Sequence, residues 1–390
     1  MKRVLYILQQ SIYNKNNKWL TADSNIQMMR GLLMQLHKDF KWDILIAPVK
    51  DFADIKSYKQ IFDSKNVKFI PWDRPVSAFD NRYHFDTIEF KKIIKKGNYD
   101  IVWSNISELT RNIKTILTYM KSPAKIVHAC YWMDCPCINE EKVSKDISYD
   151  WRQFDGAECA DLVVFTCNST KQAFFDNAKY KFDKKYIKKI KKKSVIFDFG
   201  FSFNEVMHYQ SSEKFNKTTI IFGNRLSEIN YTHHKELIQA VNSLYKKRKD
   251  FQVVFTNPSQ KIKWKDLKKQ VKPLYIYSEK PLDRKRYFDL LTKSHINVSL
   301  FFIERYGGCF SREAIADGLL SVVPKVYEYK RILGRFYPFY TNLNNLEKVI
   351  NKAINAVHNG YKTNDNIHRR NNESAFEIVG EIVKKCLLKL

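Results

Sequence analysis

The sequence of 390 residues contains no apolar run that approaches the roughly 20 residues needed to span a bilayer, which argues against a transmembrane helix. Its first segment, Met1–Leu8, has a basic start and a short apolar run but no small-residue cleavage site. This segment is therefore predicted to be a buried strand rather than a signal peptide. The seven cysteines are an odd number, and several lie within predicted strands or helices. Reduced thiols in a cytoplasmic protein are expected.

Metal-binding patterns are also missing from the sequence. Cys130, Cys135 and Cys137 lie near His128, but their spacing fits no zinc motif. The chain has no Asp-x-Asp motif in a suitable loop. We therefore predict no metal site and no obligatory cofactor.

Acidic residues are few, with 41 against 68 basic ones, which gives a net charge of +27 at pH 7. The electrostatic field of so positive a protein attracts polyanions, either nucleic acid or an anionic membrane surface. The densest cluster, Lys179–Lys193, has apolar residues Tyr186, Ile187 and Ile190 at helical spacing, which predicts a packed helix with a cationic outer face. The candidate anion-binding residues are Lys184, Lys185, Lys188, Lys189, Lys191, Lys192 and Lys193.

Three interpretations of these lysines stay open: a solvated surface, phosphate contacts along a nucleic acid, and docking on anionic lipid. The basic helices lack the large exposed apolar face of a membrane-inserting helix, which favours DNA slightly.

Short apolar runs alternate with amphipathic segments along the whole chain, and this alternation predicts parallel, doubly wound α/β sheets. The polar stretch 204–217 is the predicted linker, so we expect one domain over 1–205 and a second over 206–373. Residues 374–390 are predicted to form a terminal amphipathic helix. The predicted strands are Val4–Gln9, Asp43–Ala47, Val67–Ile70, Ile101–Trp103, Ile126–Cys130, Leu162–Thr166, Val195–Phe197, Thr219–Phe222, Gln252–Thr256, Leu274–Tyr277, Ile296–Phe301 and Leu320–Val323.

The most informative motif is the segment 301–318, in which a strand is followed by paired glycines and a helix. Gly307 and Gly308 allow backbone N–H groups to approach a phosphate, and the helix N-terminus adds positive potential. Glu313, about one turn into the helix, is placed to accept hydrogen bonds from both hydroxyls of a ribose. Spacing alone is equally consistent with a capping glycine pair and a solvated glutamate.

This segment resembles the donor-binding signature of retaining GT-B glycosyltransferases, which it matches at Gly308, Glu313, Ala314, Ala316 and Gly318. The first glutamate of that signature falls on Arg305, and Glu304 lies one place earlier. Both residues are therefore candidates for contact with the donor sugar, and the identity of that sugar stays open.

A second motif, which begins at the strand Thr219–Phe222, also resembles the family. The strand Thr219–Phe222 is followed by Gly-Asn-Arg, and Lys235 opens the next predicted helix. This arrangement is similar to the GT-B family, and the resemblance implies that Arg225 and Lys235 clamp the donor diphosphate. The spacing between them is close to that of phage DNA glucosyltransferases. An ordinary loop arginine and a surface lysine are the alternative.

The acceptor side is expected in the loop after the strand Ile126–Cys130, because ligands bind at the carboxyl ends of parallel strands. In phage DNA glucosyltransferases an aspartate lies in a comparable loop, and Asp134 matches it. Asp134 is the candidate base or stabilising carboxylate. His128 is its rival, although a histidine within an apolar strand is commonly a hydrogen-bonded core residue.

The resemblance implies a GT-B fold with two Rossmann-like domains facing across a cleft, and a hexosyltransferase that uses a nucleotide-sugar, with UDP-glucose or another UDP-sugar as the expected donor. A hydroxymethylated pyrimidine in DNA is the favoured acceptor. The alternatives are a peripheral membrane enzyme of bacterial surface polysaccharide synthesis and a non-enzymatic nucleic-acid-binding protein on a degenerate transferase fold.

Overall fold

The computed structural model describes residues 1–8, 24–46, 58–59, 61–72, 85–130, 147–198, 200–211, 213–224, 226, 232–256, 264–278, 282–302 and 308–390. The chain forms two compact units. The first contains Met1–Phe199 together with Phe376–Leu390, and the second contains Gly200–Ala375. None of the helices within the described ranges has both the length and the apolarity that a membrane crossing requires.

The first unit is built on a parallel sheet of seven strands in the spatial order β3-β2-β1-β4-β5-β6-β7. Its strands are β1 (Arg3–Ile7), β2 (Lys41–Ile46), β3 (Val67–Pro71), β4 (Ile101–Ser104), β5 (Lys125–Cys130), β6 (Leu162–Phe165) and β7 (Ser194–Ile196). Every residue of β4 and β6 is buried. Burial on both faces is the reason why these strands appear in the sequence as continuous apolar runs.

Helices cover both faces of this sheet. They are α1 (Ser24–Leu36), α2 (Thr87–Gly97), α3 (Thr110–Tyr119), α4 (Ile147–Cys159), α5 (Asn168–Lys181) and α6 (Lys184–Lys192). Because side chains alternate along a strand, Val4 and Tyr6 pack in the core with α1. Leu5 and Ile7 pack in the opposite core with α2 to α6.

The C-terminal helix α15 (Phe376–Lys389) completes the first unit. Its apolar face, including Phe376, Val379 and Val383, is buried in the same core as α1. Gly31 in α1 permits this approach, because a Cβ at that position would overlap the ring of Phe376. The sequence predicted residues 374–390 as a separate terminal element, whereas this long-range packing joins 376–390 to the first unit.

The second unit has a parallel sheet of six strands in the order β10-β9-β8-β11-β12-β13. Its strands are β8 (Thr218–Phe222), β9 (Phe251–Phe255), β10 (Leu274–Tyr277), β11 (Ile296–Val298), β12 (Leu320–Pro324) and β13 (Tyr340–Thr341). Its helices are α7 (Phe203–Tyr209), α8 (His234–Lys247), α9 (Trp264–Gln270), α10 (Arg284–Lys293), α11 (Cys309–Ala316), α12 (Tyr327–Leu333), α13 (Leu346–His358) and α14 (Asp365–Asn372).

The polar stretch predicted as a linker, 204–217, lies inside the second unit. Ser202 caps α7 through a side-chain bond to the backbone N–H of Glu205. Val206 is buried in a core that also contains residues of α10 and α11. The chain therefore enters the second unit at Gly200, several residues before the predicted boundary between 205 and 206.

Candidate functional site

In the second sheet, the order of the strands reverses between β8 and β11. The chain places β9 and β10 on one side of this pair and β12 and β13 on the other, while β8 and β11 pair directly. In open parallel sheets, ligands bind beyond the carboxyl ends of the strands at such a switch point. The loops that follow β8 and β11 therefore form the candidate site.

These two loops contact each other directly. The Asn224 side-chain amide donates a hydrogen bond to Ser299 Oγ at 2.9 Å, and the Tyr329 hydroxyl donates to the same oxygen at 3.1 Å. A Cβ at Gly223 would overlap the ring of Phe310. Glycine at position 223 therefore allows α11 to approach the end of β8, which fixes the spacing of the two loops.

Gly308 starts α11 with a φ of 63° and a ψ of 136°, in the half of φ space that favours glycine. The first turn of a helix has backbone N–H groups without helical partners and a positive potential. The structure therefore places a glycine turn and a helix N-terminus after β11, and phosphate binding by this turn stays a prediction. Gly307, Glu304 and Arg305 lie outside the described residues.

The N-terminus of α8 lies at the same edge of the sheet. His233 precedes this helix in a left-handed conformation, and its ring lies 5.2 Å from the ring of Phe302, which follows β11. Lys235 is exposed in the first turn of α8. The predicted cation and the predicted glycine turn thus lie on loops that follow adjacent strands. Arg225 lies outside the described residues.

Glu313 is buried in α11, and its carboxylate is bound by two residues of α10. Arg284 Nη2 lies 2.7 Å from Glu313 Oε1, and the Tyr287 hydroxyl donates a hydrogen bond to Oε2. Arg284 also binds Glu205 of α7, with Nη2 2.7 Å from Oε2. The sequence motif indicated Glu313 as a site residue. It did not indicate Arg284 or Tyr287, because both are 26 or more residues away from Glu313 along the chain.

The carboxylate of Asp317, the residue before the final glycine of the motif region, is buried in surroundings that disfavour its ionisation. Its side chain is only 1% exposed, and the nearest cation, Lys214 Nζ, is 3.7 Å from Oδ2. Burial raises the pKa of Asp317 to about 6, against a smaller opposing effect of Lys214. Because the folded protein holds this proton more tightly than the unfolded chain, the free energy of unfolding falls as pH rises from about 4 to about 6.

Asp317→Asn is therefore expected to raise the free energy of unfolding at pH 8 by about 1–3 kcal/mol, with little effect near pH 4. Denaturant unfolding at the two pH values measures this difference. The matched control is Asp266→Asn on the exposed surface of α9, which should change stability little at either pH. Destabilisation by Asp317→Asn at pH 8 would show that the pair with Lys214 outweighs the cost of burying the carboxylate.

In the first unit, His128 lies in β5 and is completely buried. Its Nδ1 is 2.8 Å from Thr110 Oγ1, and its Nε2 is 3.1 Å from Cys130 Sγ. Burial, with a contribution from Lys193, lowers the pKa of His128 to about 3. These contacts fit the hydrogen-bonded core histidine that the sequence left open as the alternative to an acceptor-side role.

The other acceptor-side candidate, Asp134, lies outside the described residues, as do Cys135 and Cys137. The proposed acceptor loop is therefore located only by β5, the strand that precedes it. Across the ranges that the structure covers, no group of three or more His, Cys, Asp or Glu residues is arranged to hold a metal ion.

The predicted basic helix is α6, which begins after the capping residue Asp183 and buries Ile190. Lys189 Nζ lies 2.7 Å from Glu158 Oε1, and Lys193 Nζ donates to the backbone carbonyl of Glu158 at 2.6 Å. Lys191 lies over the ring of Phe175. These three lysines attach the segment to the first unit. Lys189 and Lys191 are exposed all the same, as are the other four lysines of the predicted set, namely Lys184, Lys185, Lys188 and Lys192.

Comparisons with known proteins found similarity in structure only. No family model matches the chain, and no curated protein has a significantly similar sequence. HepE from Anabaena, solved with UDP-glucose, superposes with a TM-score of 0.69 at 12% identity, covering 100% of both chains.

Two further structures match over similar lengths. A sucrose-phosphate synthase from Thermosynechococcus elongatus has a TM-score of 0.68 at 12% identity, covering 100% of this chain and 99% of its own. A glycosyltransferase from Rickettsia africae has a TM-score of 0.66 at 14% identity, with the same coverage. These similarities, together with the two parallel α/β sheets, confirm the prediction from the motifs: the chain has the GT-B fold.

Proposed function

We propose that this protein is a glycosyltransferase that takes a sugar from a nucleotide-sugar donor, with a UDP-sugar as the first choice. The observation that carries the proposal is the arrangement at the switch point of the second sheet. There the glycine turn before α11, the exposed cation in the first turn of α8 and the buried Glu313 of α11 lie in the segments that follow adjacent strands β8 and β11. The UDP-glucose bound to HepE, a structure with the same fold, supports this choice of donor.

Each part has a defined role in the proposed donor site. The backbone N–H groups that follow Gly308 bind the diphosphate, and the helix potential of α11 stabilises its charge. Lys235 and Arg225 supply cations that stabilise the negative charge developing on the leaving nucleotide diphosphate. Because side chains and helix dipoles can neutralise this charge, the reaction needs no obligatory metal ion.

Replacing either cation tests the proposal. Arg225→Ala or Lys235→Ala is expected to lower turnover by roughly a hundredfold or more, as the loss of other charge-stabilising donors does, with little change in stability. The measurement is transfer, or slow hydrolysis, of radiolabelled UDP-sugars, together with thermal unfolding.

The matched control is Lys246→Ala, an exposed lysine in the last turn of the same helix as Lys235. It should retain normal turnover. If Arg225→Ala and Lys235→Ala both kept near-normal turnover with a competent donor, the cations that bind the donor diphosphate would have to lie elsewhere in the chain.

For the acceptor, we propose a hydroxymethylated pyrimidine in DNA. Lys184, Lys185, Lys188 and Lys192, which are exposed on α6, support this choice. α2 packs in the same core of the first sheet as α6 and carries exposed Lys92, Lys95 and Lys96. A surface of this charge matches the regular phosphates of a duplex. The hydroxymethyl group supplies the alcohol nucleophile that an unmodified base lacks, and the base would flip out of the stack to react.

A further inference from the structure

Glu313 belongs to a buried ion-pair cluster with Arg284 and Glu205. Two carboxylates, Glu205 and Glu313, share the one guanidinium of Arg284. Both glutamates are buried, with side chains 8% and 6% exposed. Two buried carboxylates repel each other unless a cation lies between them, and the Arg284 guanidinium contacts both.

The geometry also orients Glu313. One carboxylate oxygen accepts a hydrogen bond from Arg284, and the other accepts one from the Tyr287 hydroxyl. A carboxylate has about four acceptor positions, so each oxygen keeps capacity for one more donor. A vicinal diol presents two O–H donors at a matching separation, and a ribose carries such a diol at its 2′ and 3′ positions.

Both donors stay protonated at neutral pH. Burial lowers the pKa of Arg284, but the charges of Glu313 and Glu205 outweigh this effect and raise it. Burial, followed by the charge of Glu313, raises the pKa of the Tyr287 hydroxyl well above its usual value. The Arg284 guanidinium also lies 5.3 Å from the Tyr287 ring centroid and 4.6 Å from that of Phe288, so both ring faces restrict its position.

We propose, resting on the donor site above, that Arg284 and Tyr287 are positioning residues that aim Glu313 at the two ribose hydroxyls. The protein then selects ribonucleotide over 2′-deoxyribonucleotide diphosphates. The selection arises because removing one hydroxyl costs the hydrogen bond at one of the two acceptor positions that Arg284 and Tyr287 leave open on the buried carboxylate.

The test compares the affinities of UDP and 2′-deoxy-UDP by calorimetry. The wild-type protein is expected to prefer UDP by about 10- to 100-fold, the loss of one hydrogen bond to a charged group. Tyr287→Phe removes a single oxygen atom, and Arg284→Lys keeps the charge but loses the planar fork. Each is expected to reduce the preference to about threefold, and Glu313→Gln should reduce it to a similar extent.

Two controls separate this role from a merely structural one. Glu205→Gln disturbs the same guanidinium without touching Glu313, so it should lower the thermal unfolding temperature but keep the UDP preference. Arg286→Ala, exposed on the same helix, should change neither property.

The outcomes are distinguishable. The positioning role would be overturned if Tyr287→Phe and Arg284→Lys both kept the wild-type preference for UDP over 2′-deoxy-UDP while Glu313→Gln lost it. The proposed donor site would not be affected by that result. Equal binding of the two nucleotides by the wild-type protein would overturn ribose selection. Failure of the wild-type protein to bind any nucleotide diphosphate would reject the proposed function itself. If Arg284→Lys does not fold, Tyr287→Phe still decides the matter, because it removes only the hydroxyl.

Discussion

Asp134→Asn is expected to lower sugar transfer by roughly a hundredfold to ten-thousandfold, the usual contribution of a positioned acid or base, while UDP affinity stays unchanged. The substitution keeps the shape of the side chain and removes its charge. Donor affinity is expected to persist because the proposed donor residues belong to the second unit, whereas Asp134 belongs to the first. Transfer kinetics and UDP calorimetry on the same preparation measure the two effects.

The environment of His128 strengthens the case for Asp134. A base must reach the proton that it removes, and His128 is completely buried, with Thr110 and Cys130 at its two ring nitrogens. Asp134 follows the last residue of β5 by four positions in the sequence. His128→Gln is therefore expected to lower stability more than it lowers transfer.

The matched control is Asp161→Asn. The Asp161 carboxylate accepts a hydrogen bond from the backbone N–H of Ile126 at 2.9 Å, at the opposite, amino end of β5. This variant should retain transfer. Normal transfer by Asp134→Asn together with an inactive but folded His128→Gln would assign the acceptor-side role to His128 instead.

The sequence predicted the strands well because burial on both faces of a parallel sheet makes each strand a continuous apolar run. All the strands of the first unit, and β8 to β12 of the second, were predicted, with ends displaced by a few residues. β13 was missed because it contains only Tyr340 and Thr341, too few residues to show a periodicity. The membership of α15 was missed because its packing on α1 depends on contacts between the two ends of the chain.

The candidate site shows the same division. The glycine turn at Gly308 and the helix that contains Glu313 were predicted because they depend on local sequence, whereas the binding roles of both residues stay predictions. Arg284 and Glu205 contact Glu313 or each other only after α7, α10 and α11 pack together, so no local pattern indicated them. Similarly, both Lys188 and Lys189 are exposed, and counting lysines could not show that Lys189 pairs with Glu158.

DNA affinity is expected to fall by roughly a thousandfold between about 50 and 200 mM salt, because about six phosphate contacts would release their counterions. The log–log slope is about −0.9 for each phosphate contacted. Neutralising Lys184, Lys185, Lys188 and Lys192 with glutamine should flatten the slope by up to about 0.9 per lysine that contacts a phosphate. All DNA sequences should be weakened alike, since phosphate contacts carry no base information.

The choice of these four lysines follows from the structure. Lys189 pairs with Glu158, Lys191 lies over the Phe175 ring and Lys193 donates to the Glu158 carbonyl, so replacing them would remove these contacts as well as charge. The matched control removes the same charge from exposed lysines of the second unit, namely Lys246, Lys272, Lys348 and Lys362. That variant should keep the slope of the wild-type protein. UDP affinity should be unchanged in both variants.

The acceptor itself is tested by offering radiolabelled UDP-sugars to three substrates: unmodified DNA, DNA containing hydroxymethylated pyrimidines, and anionic vesicles carrying polyprenyl-linked sugars. Label only in the hydroxymethylated DNA supports the proposal, because that substrate alone combines regular phosphates with an alcohol on the base. Label in the vesicles and in neither DNA would refute it. The exposed lysines of α6 would then be the face that docks on anionic lipid, where each contributes about 1 kcal/mol near the surface.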